Sequence, residues 1–330
     1  RRIGDGVFPP AAILLYHRVI DLHPDPQWLG VTPGQFAEHL EILSRDWHPI
    51  HLSDLVDRVK TGTVPRRAVV VTFDDGYADN LHEAKPLLDK HGIPATVFVT
   101  TGMIGADAEF WWDELGALLL ESPVVSVDIR IRINGREHRW HLSGDASGSP
   151  RWNVAMHACP TPRHAAYREL APLMRDLHFE QRDEILDTIA GQIGVPRSAR
   201  PTHRCMTREE LAALAGDGLI EIGAHTVHHP VLSTLPVEAQ RDEIVRSRET
   251  LESILPRPVR TFSYPFGCEG TYTPATVRLI QEAGYHCACS NFEGLVRKRT
   301  DRYQLPRFLV RDWDGDFFSR RLKLWMEGEK

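Results

Sequence analysis

The sequence of 330 residues has no apolar run that approaches the length of a membrane-spanning helix. Such a helix needs about 20 consecutive apolar residues. The first ten residues also lack the apolar centre of a secretory signal. The chain begins without Met, so export after removal of an upstream signal is the alternative to the cytoplasmic location that we expect.

Cysteine is scarce, with five residues and no Cys-x-x-Cys pair. An odd number of cysteines without that spacing indicates neither a disulfide framework nor a zinc ribbon. Cys287 and Cys289 would share one face of a strand, where we expect buried thiols. This usage favours a reducing compartment.

An excess of basic residues is also absent, because the net charge is −6 and residues of both signs are interspersed. A nucleic-acid surface needs clustered Lys and Arg to neutralise phosphates, so we expect no nucleic-acid partner. The sequence contains no internal repeat and no low-complexity tract. These features are typical of a soluble enzyme.

Two short segments carry residues suited to binding a divalent metal. Residues 71–76, Val-Thr-Phe-Asp-Asp-Gly, are an apolar run that ends in Asp74 and Asp75, which predicts a buried strand and a tight turn. Paired Asp before Gly also occurs at ordinary turns, where the side chains bond their own backbone. Residues 225–230, His-Thr-Val-His-His-Pro, follow a second apolar run, and the proline favours a loop over a helix.

Together the two segments offer one carboxylate and two imidazoles for a metal, with a second carboxylate left to act as a base. Both follow strand ends, where α/β folds place their chemistry. A carboxylate and two imidazoles with an open position suit catalytic zinc. They also suit iron, cobalt, nickel or manganese.

Residues 72–76 and 225–230, in this order, resemble the first two motifs of the polysaccharide deacetylases, carbohydrate esterase family 4. The third motif has an altered counterpart at residues 262–267, Phe-Ser-Tyr-Pro-Phe-Gly. The resemblance covers residues 13–101 and 205–311.

The resemblance implies a role for each matching residue. Asp75, His225 and His229 would bind the metal, and Asp74 would be the general base that activates water against an acetamide. A bound metal would lower the pKa of that water. The metal and a backbone N–H near Phe266 would stabilise the oxyanion.

The altered third motif departs from the family pattern. Many members carry an Arg two residues before the motif's proline, where it orients the base, but this chain has Ser263 there. Arg260 and Arg307 are candidates to replace it, and Arg307 is favoured because it lies beside another apolar strand. Tyr264 and Phe266 are expected to contact the substrate.

The second departure is the family's last motif, Leu-x-Leu-His, whose His is the general acid. Residues 320–330 contain no His, so the acid must come from elsewhere or be absent. His17 ends the first apolar run and is the candidate for an active-site position and for this role.

Apolar runs typical of strands alternate with helical patterns through most of the chain. We therefore predict a distorted parallel α/β barrel over residues 1–330, with seven strands as in the family. Six of the predicted strands are residues 13–16, 69–73, 96–100, 220–223, 260–263 and 286–290, and a further apolar strand lies beside Arg307.

Residues 113–203 interrupt this alternation and are predicted to be an insertion. Val125 to Ile133 alternate apolar and polar residues before Asn134-Gly135, which indicates a hairpin with a type I′ turn. Residues 162–193 look helical. The insertion would be a substrate-binding lid or, equally, a stabilising or dimerising decoration.

Trp111 and Trp112 lie near the start of the insertion. Tryptophan rings stack well on sugars, although aromatic clusters are more often part of a core. Two adjacent side chains cannot both point inward in regular structure. We therefore expect one of the two to line a substrate groove.

The sequence thus predicts a zinc-dependent hydrolase that removes the acetyl group from an N-acetylated amino sugar or glycan. Hydrolysis of another C–N bond, in a formamide, a cyclic imide or a related amide, is the first alternative. A carbohydrate-binding protein that has lost catalysis is the second. The intact Asp74, Asp75, His225 and His229 argue against this second alternative.

Overall fold

In the computed structural model the described residues are 8–124 and 126–328. Val125, expected in the hairpin, and the residues at both chain ends lie outside them. The chain divides into two compact units, of which the second comprises Leu22–Leu29 and Gly105–Cys205. The second unit is therefore wider than the insertion expected at 113–203, and it includes a segment from far upstream.

The strands and helices follow one another as the sequence patterns indicate. In chain order the strands are β1 (Ala11–Tyr16), β2 (Arg18–Val19), β3 (Gly30–Val31), β4 (His48–Pro49), β5 (Ala68–Phe73), β6 (Ala95–Val99), β7 (Ser126–Ile133), β8 (Arg136–Ser143), β9 (Ile220–Ala224), β10 (Thr261–Ser263), β11 (Cys287–Cys289) and β12 (Phe308–Leu309). The helices are α1 (Pro33–Asp46), α2 (Leu52–Thr61), α3 (Lys85–His91), α4 (Trp111–Gly116), α5 (Pro162–Arg175), α6 (Phe179–Ile193), α7 (Arg208–Leu214), α8 (Val237–Ile254), α9 (Pro274–Glu282) and α10 (Gly315–Glu327).

Seven parallel strands of the first unit form one curved sheet. Their order is β11-β10-β9-β6-β5-β1-β12, and the short β4 pairs with the start of β5. The segment before β12 also reaches β11, where the N–H of Ser290 donates to the carbonyl of Leu305 at 2.8 Å. This contact brings the two ends of the sheet together, and the predicted distorted barrel of seven strands is confirmed.

The barrel strands are apolar on both faces because both faces are covered. Ile13 and Val70 pack with Phe98 in an apolar cluster that includes side chains of α2, whereas Leu14 and Val71 belong to a cluster that includes side chains of α1, α3 and α8. Cys287 and Cys289 share the first cluster as buried free thiols, as expected.

The second unit has a core of its own. Strands β7 and β8 form an antiparallel hairpin whose turn residues, Asn134 and Gly135, have φ of 50° and 79°, as a type I′ turn requires. Helices α5 and α6 supply the remaining core side chains. The Gln192 side chain accepts from the N–H of Arg130 and donates to its carbonyl, which covers part of the edge of β7. The predicted hairpin with helices is confirmed.

Helices begin where capping residues satisfy their first N–H groups. Thr207 and Glu210 form a reciprocal capping box at α7, and Thr32 precedes Pro33 at α1. None of the helices in the described part of the chain is both long and apolar enough to cross a membrane.

Gly223 provides a test of packing between β6 and β9. A Cβ at this position would lie 2.4 Å from the Phe98 ring and 2.6 Å from Thr261 Oγ1. We expect Gly223→Ala to lower the free energy of unfolding by about 1–3 kcal/mol, as overpacked cores do.

Gly34 is the matched control because a Cβ there would meet nothing within 4 Å. Gly34→Ala in helix α1 should be neutral or stabilising by up to about 1 kcal/mol. Urea denaturation of both variants measures the difference, and equal effects would show that Phe98 moves aside without cost.

Candidate active site

The carboxyl ends of β5, β9 and β10 bring the polar residues of the three motifs together. Asp74 and Asp75 follow β5, His225 follows β9 and Ser263 ends β10. Parallel strands place these ends at one edge of the barrel. Separate stretches of sequence thereby contribute to one buried cluster.

Asp75, His225 and His229 form a set that could hold a metal ion. One ligand atom from each lies within 4.8 Å of the others, and all three side chains are buried. Asp75 Oδ1 lies 3.6 Å from His225 Nε2 and 3.5 Å from His229 Nε2. One carboxylate and two imidazole nitrogens converging in this way fit zinc and the neighbouring divalent metals.

The orientation of the His225 ring is determined by a hydrogen bond. Its Nδ1 lies 2.7 Å from the carbonyl oxygen of Ser263, and a carbonyl can only accept. Nδ1 therefore carries the proton, and the Nε2 lone pair faces Asp75, as is usual for histidines that bind metals. Burial lowers the pKa of His225, although the charge of Asp74 acts in the opposite direction.

The segment from 226 to 229 is a loop, as expected, and two of its residues adopt left-handed backbone. Thr226 has φ of 65° and His229 has φ of 52°. This backbone is costly for Thr226, whose Cβ is branched. The N–H of His229 donates to Thr226 Oγ1 at 3.1 Å. Glu243 on α8 accepts from the N–H groups of Val227 and His228 at 2.8 and 2.9 Å.

Glu243 was not identified from the sequence. Its carboxylate also lies 2.6 Å from His228 Nδ1, so one side chain holds three groups of the loop between the two histidines. It lies in a highly charged helix, and no local pattern distinguishes it from its neighbours.

Asp74 is buried against Arg307, which is itself buried. Arg307 Nη1 donates to Asp74 Oδ1 and Nη2 to Oδ2, both at 2.7 Å. This two-bond arrangement is the strongest geometry available to a carboxylate and a guanidinium. Ser263, which stands at the place of the family's Arg, donates to Asp74 Oδ2 at 3.2 Å. Arg260 is exposed.

All five N–H donors of Arg307 have acceptors within the site. The acceptors other than Asp74 are Ser290 O at 2.9 Å, Thr72 Oγ1 at 3.3 Å, Asn291 Oδ1 at 2.6 Å and Ser263 Oγ at 2.8 Å. A buried guanidinium with every donor satisfied is held rigidly.

Two opposing effects determine the protonation state of Asp74. Burial raises the pKa of this carboxyl, but the charges of Arg307 and His225 together with the Arg307 hydrogen bonds hold the pKa well below its ordinary value. Asp74 is therefore ionised at neutral pH, as a proton acceptor must be.

His17 is half-buried beside the same charges. Burial lowers the pKa of His17 to about 3, Asp74 acts to raise it, and Arg311, Arg307 and His225 lower it. The backbone carbonyl of His17 accepts from Asn80 Nδ2 at 2.9 Å. His17 is thus neutral at neutral pH and would have to gain a proton before acting as an acid.

The two aromatic residues of the third motif differ in their surroundings. Tyr264 is fully buried, stacks on Tyr272 at 4.0 Å and donates to the carbonyl of Tyr303 at 2.9 Å. Its side chain is a packing group with no exposed surface for a substrate. Phe266 is half-buried, has φ of 61°, and its ring lies 4.7 Å from the His229 ring.

The two tryptophans belong to the second unit. Trp112 is 5% exposed and stacks on Phe110 at 4.4 Å, so its burial contradicts the sugar-facing role for this ring. Trp111 is half-buried against the core of the same unit, with the Arg182 guanidinium 5.3 Å from its ring.

Removal of Arg307 should be costly because it leaves a buried carboxylate without its counter-charge. We expect Arg307→Leu to lower the free energy of unfolding at pH 7 by about 3–5 kcal/mol. Arg307→Leu combined with Asp74→Asn should recover part of this loss, since no charge is then buried. Urea denaturation of the two single variants and the double variant measures the coupling.

The pH dependence of stability should have opposite signs in the wild type and in Arg307→Leu. In the wild type the lowered pKa of Asp74 contributes stability above the unfolded value of about 3.9, and this is lost as the pH falls. In Arg307→Leu the burial of Asp74 remains and raises its pKa, so that variant should lose stability as the pH rises. Additive effects of the single substitutions would show that the pair is not coupled.

Several known proteins are similar to this chain. The chain matches the family model described as polysaccharide deacetylase over residues 61–140 and 151–288. YxkH of Bacillus subtilis (strain 168), itself named as a polysaccharide deacetylase, is 20% identical over 302 residues, which are 90% of this chain and 70% of that protein. The poly-beta-1,6-N-acetyl-D-glucosamine N-deacetylase of Staphylococcus aureus (strain MSSA476) is 35% identical over 79 residues, 24% of this chain and 27% of that protein.

Solved structures with the same fold cover nearly the whole chain. The Streptococcus pyogenes deacetylase PplD, in complex with acetate, is 16% identical with a TM-score of 0.60, covering 96% of this chain and 98% of that one. IcaB from Ammonifex degensii is 17% identical with a TM-score of 0.59, covering 97% of each chain. The resemblance seen in the sequence is confirmed, and the chain belongs to the polysaccharide deacetylase family.

Proposed function

We propose that this protein is a metal-dependent N-deacetylase that removes the acetyl group from an N-acetylated amino sugar in a glycan and releases acetate. The observation that carries the proposal is the buried set Asp75, His225 and His229 next to Asp74, which Arg307 holds ionised. The convergent set supports metal binding, and the ionised carboxylate beside it supports the role of a base.

Asp75, His225 and His229 would hold the metal, for which zinc is the first choice. When bound, such a metal lowers the pKa of water and polarises a carbonyl group. Asp74 accepts a proton from the attacking water, and Arg307 keeps the carboxylate in place for this transfer. The backbone N–H of Phe266 donates to the oxygen of the acetamide as negative charge develops on it.

Cleavage of the C–N bond requires a proton for the departing amine. His17 is the candidate for this step, and its low pKa means that it is neutral when the substrate arrives. We infer that any proton His17 donates reaches it during turnover, after Asp74 has accepted the proton of water.

The name of the Staphylococcus aureus relative supports an N-acetylated glucosamine glycan as the substrate class. The region of that match is short, so the experiment below also considers other amides as substrates. A binding protein without catalysis is disfavoured, because Asp74 retains two hydrogen bonds from Arg307. The free thiols support our separate proposal of a cytoplasmic location.

The first experiment measures acetate release from N-acetylhexosamine compounds by protein stripped of metal and reloaded with zinc. The panel includes free sugars, nucleotide sugars and short oligosaccharides of N-acetylglucosamine. We expect release that requires zinc. Stoichiometric metal binding without acetate release from any compound would contradict the proposal and favour another amide substrate.

Asp74→Asn separates the base from the metal ligands. We expect turnover to fall by roughly 10²–10⁴-fold, the usual contribution of a general base, while zinc content measured by mass spectrometry stays near that of the wild type.

His225→Ala is the complementary variant and should lose most of its zinc. Full zinc content in His225→Ala would remove this residue from the ligand set, whereas undiminished turnover in Asp74→Asn would remove Asp74 as the base.

A further inference from the structure

Asn291 lies between Arg307, which holds the proposed base, and Phe266, which carries the proposed oxyanion donor. It follows β11 by two residues. Its Oδ1 accepts from Arg307 Nη2 at 2.6 Å, and its Nδ2 donates to the carbonyl oxygen of Phe266 at 2.7 Å. One amide therefore connects the residue that holds Asp74 to Phe266, the residue whose N–H is proposed to bind the oxyanion.

The orientation of this amide is unambiguous because its two partners differ in kind. Arg307 only donates, and the carbonyl of Phe266 only accepts. A flipped amide would place N–H against the guanidinium and an oxygen against the carbonyl. Both contacts would be repulsive, so Asn291 can connect the two groups in one orientation only.

The peptide that Asn291 holds is in an unfavourable conformation. Phe266 and Gly267 both have left-handed backbone, with φ of 61° and 58°, and such a conformation costs a non-glycine residue about 1–2 kcal/mol. The N–H of Asn291 donates to Gly267 O at 2.8 Å, and the N–H of Gly267 donates to Pro265 O at 2.7 Å. The Nδ2 bond to Phe266 completes this arrangement.

The approach of the two segments is close. A Cβ at Gly267 would lie 2.8 Å from the backbone N of Asn291, so the loop after β10 packs directly on the segment after β11. Because side chain and backbone of Asn291 both bond this loop, a displacement of Asn291 changes the position of the Phe266 peptide.

We propose that Asn291 is a positioning residue that holds the base and Phe266, whose N–H is the proposed oxyanion donor, at a fixed separation. Asp74 follows β5 and Phe266 follows β10, and the path between them runs through Arg307 and Asn291. Catalytic groups lose efficiency when they are displaced by more than about 0.5 Å from the productive geometry. The inference rests on the proposed deacetylase activity and assigns to Asn291 a part in it.

Asn291→Asp tests this inference because it keeps one bond and breaks the other. The new carboxylate still accepts from Arg307 but cannot donate to Phe266, and it repels that carbonyl. We expect kcat for the active N-acetylglucosamine oligosaccharide to fall by roughly 10–100-fold, somewhat less than the loss of an oxyanion donor itself. KM should stay within about twofold, since ground-state binding does not use the oxyanion contact.

Inhibitor affinity separates positioning from a general loss of structure. A methylphosphonamidate analogue of the same oligosaccharide imitates the tetrahedral state, and its affinity should fall in proportion to kcat/KM. The affinity for acetate should not change. Ser263→Ala is the comparison variant, because it removes a partner of Arg307 and Asp74 and leaves the Phe266 peptide bonded to Asn291.

Amide hydrogen exchange supplies a readout that needs no substrate. Exchange at Phe266 and Gly267 should be faster in Asn291→Asp than in the wild type and unchanged in Ser263→Ala. If Asn291→Asp does not fold, Asn291→Ala removes the side-chain bonds without adding a charge.

Wild-type kcat and unchanged exchange in Asn291→Asp would overturn the inference, and so would a loss of kcat without a matching loss of analogue affinity. If the wild type itself releases no acetate, the proposed function fails, and the exchange rates alone decide whether Asn291 holds the peptide.

Discussion

The site depends on the buried ion pair between Asp74 and Arg307. A guanidinium without access to water must find an acceptor for each of its donors, and here the acceptors come from the ends of three strands. Thr72 and Asp74 belong to β5 and its end, Ser263 ends β10, and Ser290 follows β11. Removing one partner of such a pair costs far more than the pair contributes in net stability. The same contact therefore holds strand ends together and keeps Asp74 ionised.

The sequence predicted that Asp74, Asp75, His225 and His229 would lie together, because each motif is local and the barrel brings strand ends together by a general rule. Arg307 was predicted less directly. Ser263 stands where many family members carry an arginine, and Arg307 was favoured as its replacement because it lies beside an apolar strand. Asn291 and Glu243 were not predicted, because their roles come from partners that are distant in sequence. Tyr264 shows that a place in a motif does not determine where a side chain packs. Its position indicated substrate contact, but its ring packs on Tyr272.

In the second unit the sequence pattern predicted the local structure but not the bounds of the unit. The alternating residues and Asn134-Gly135 predicted the hairpin because turn chemistry acts within a few residues. The bounds of the unit were not predictable in the same way, since Leu22–Leu29 joins it through contacts that span the chain. Gln27, for instance, donates to the hydroxyl of Tyr167 at 2.8 Å. No property of the upstream segment alone indicates this partner.

Left-handed backbone is concentrated in the candidate site. Among the residues that the structure describes, seven that are not glycine have positive φ, and four of them are Asp75, Thr226, His229 and Phe266. Replacing Thr226 by glycine would relax this backbone and raise the stability of the metal-free protein, yet it would also let His229 move. Selection for heat resistance would therefore tend to erode activity at this loop, a trade-off between stability and function. Directed evolution for stability should accordingly leave residues 225–229 unchanged and act on the remainder of the fold.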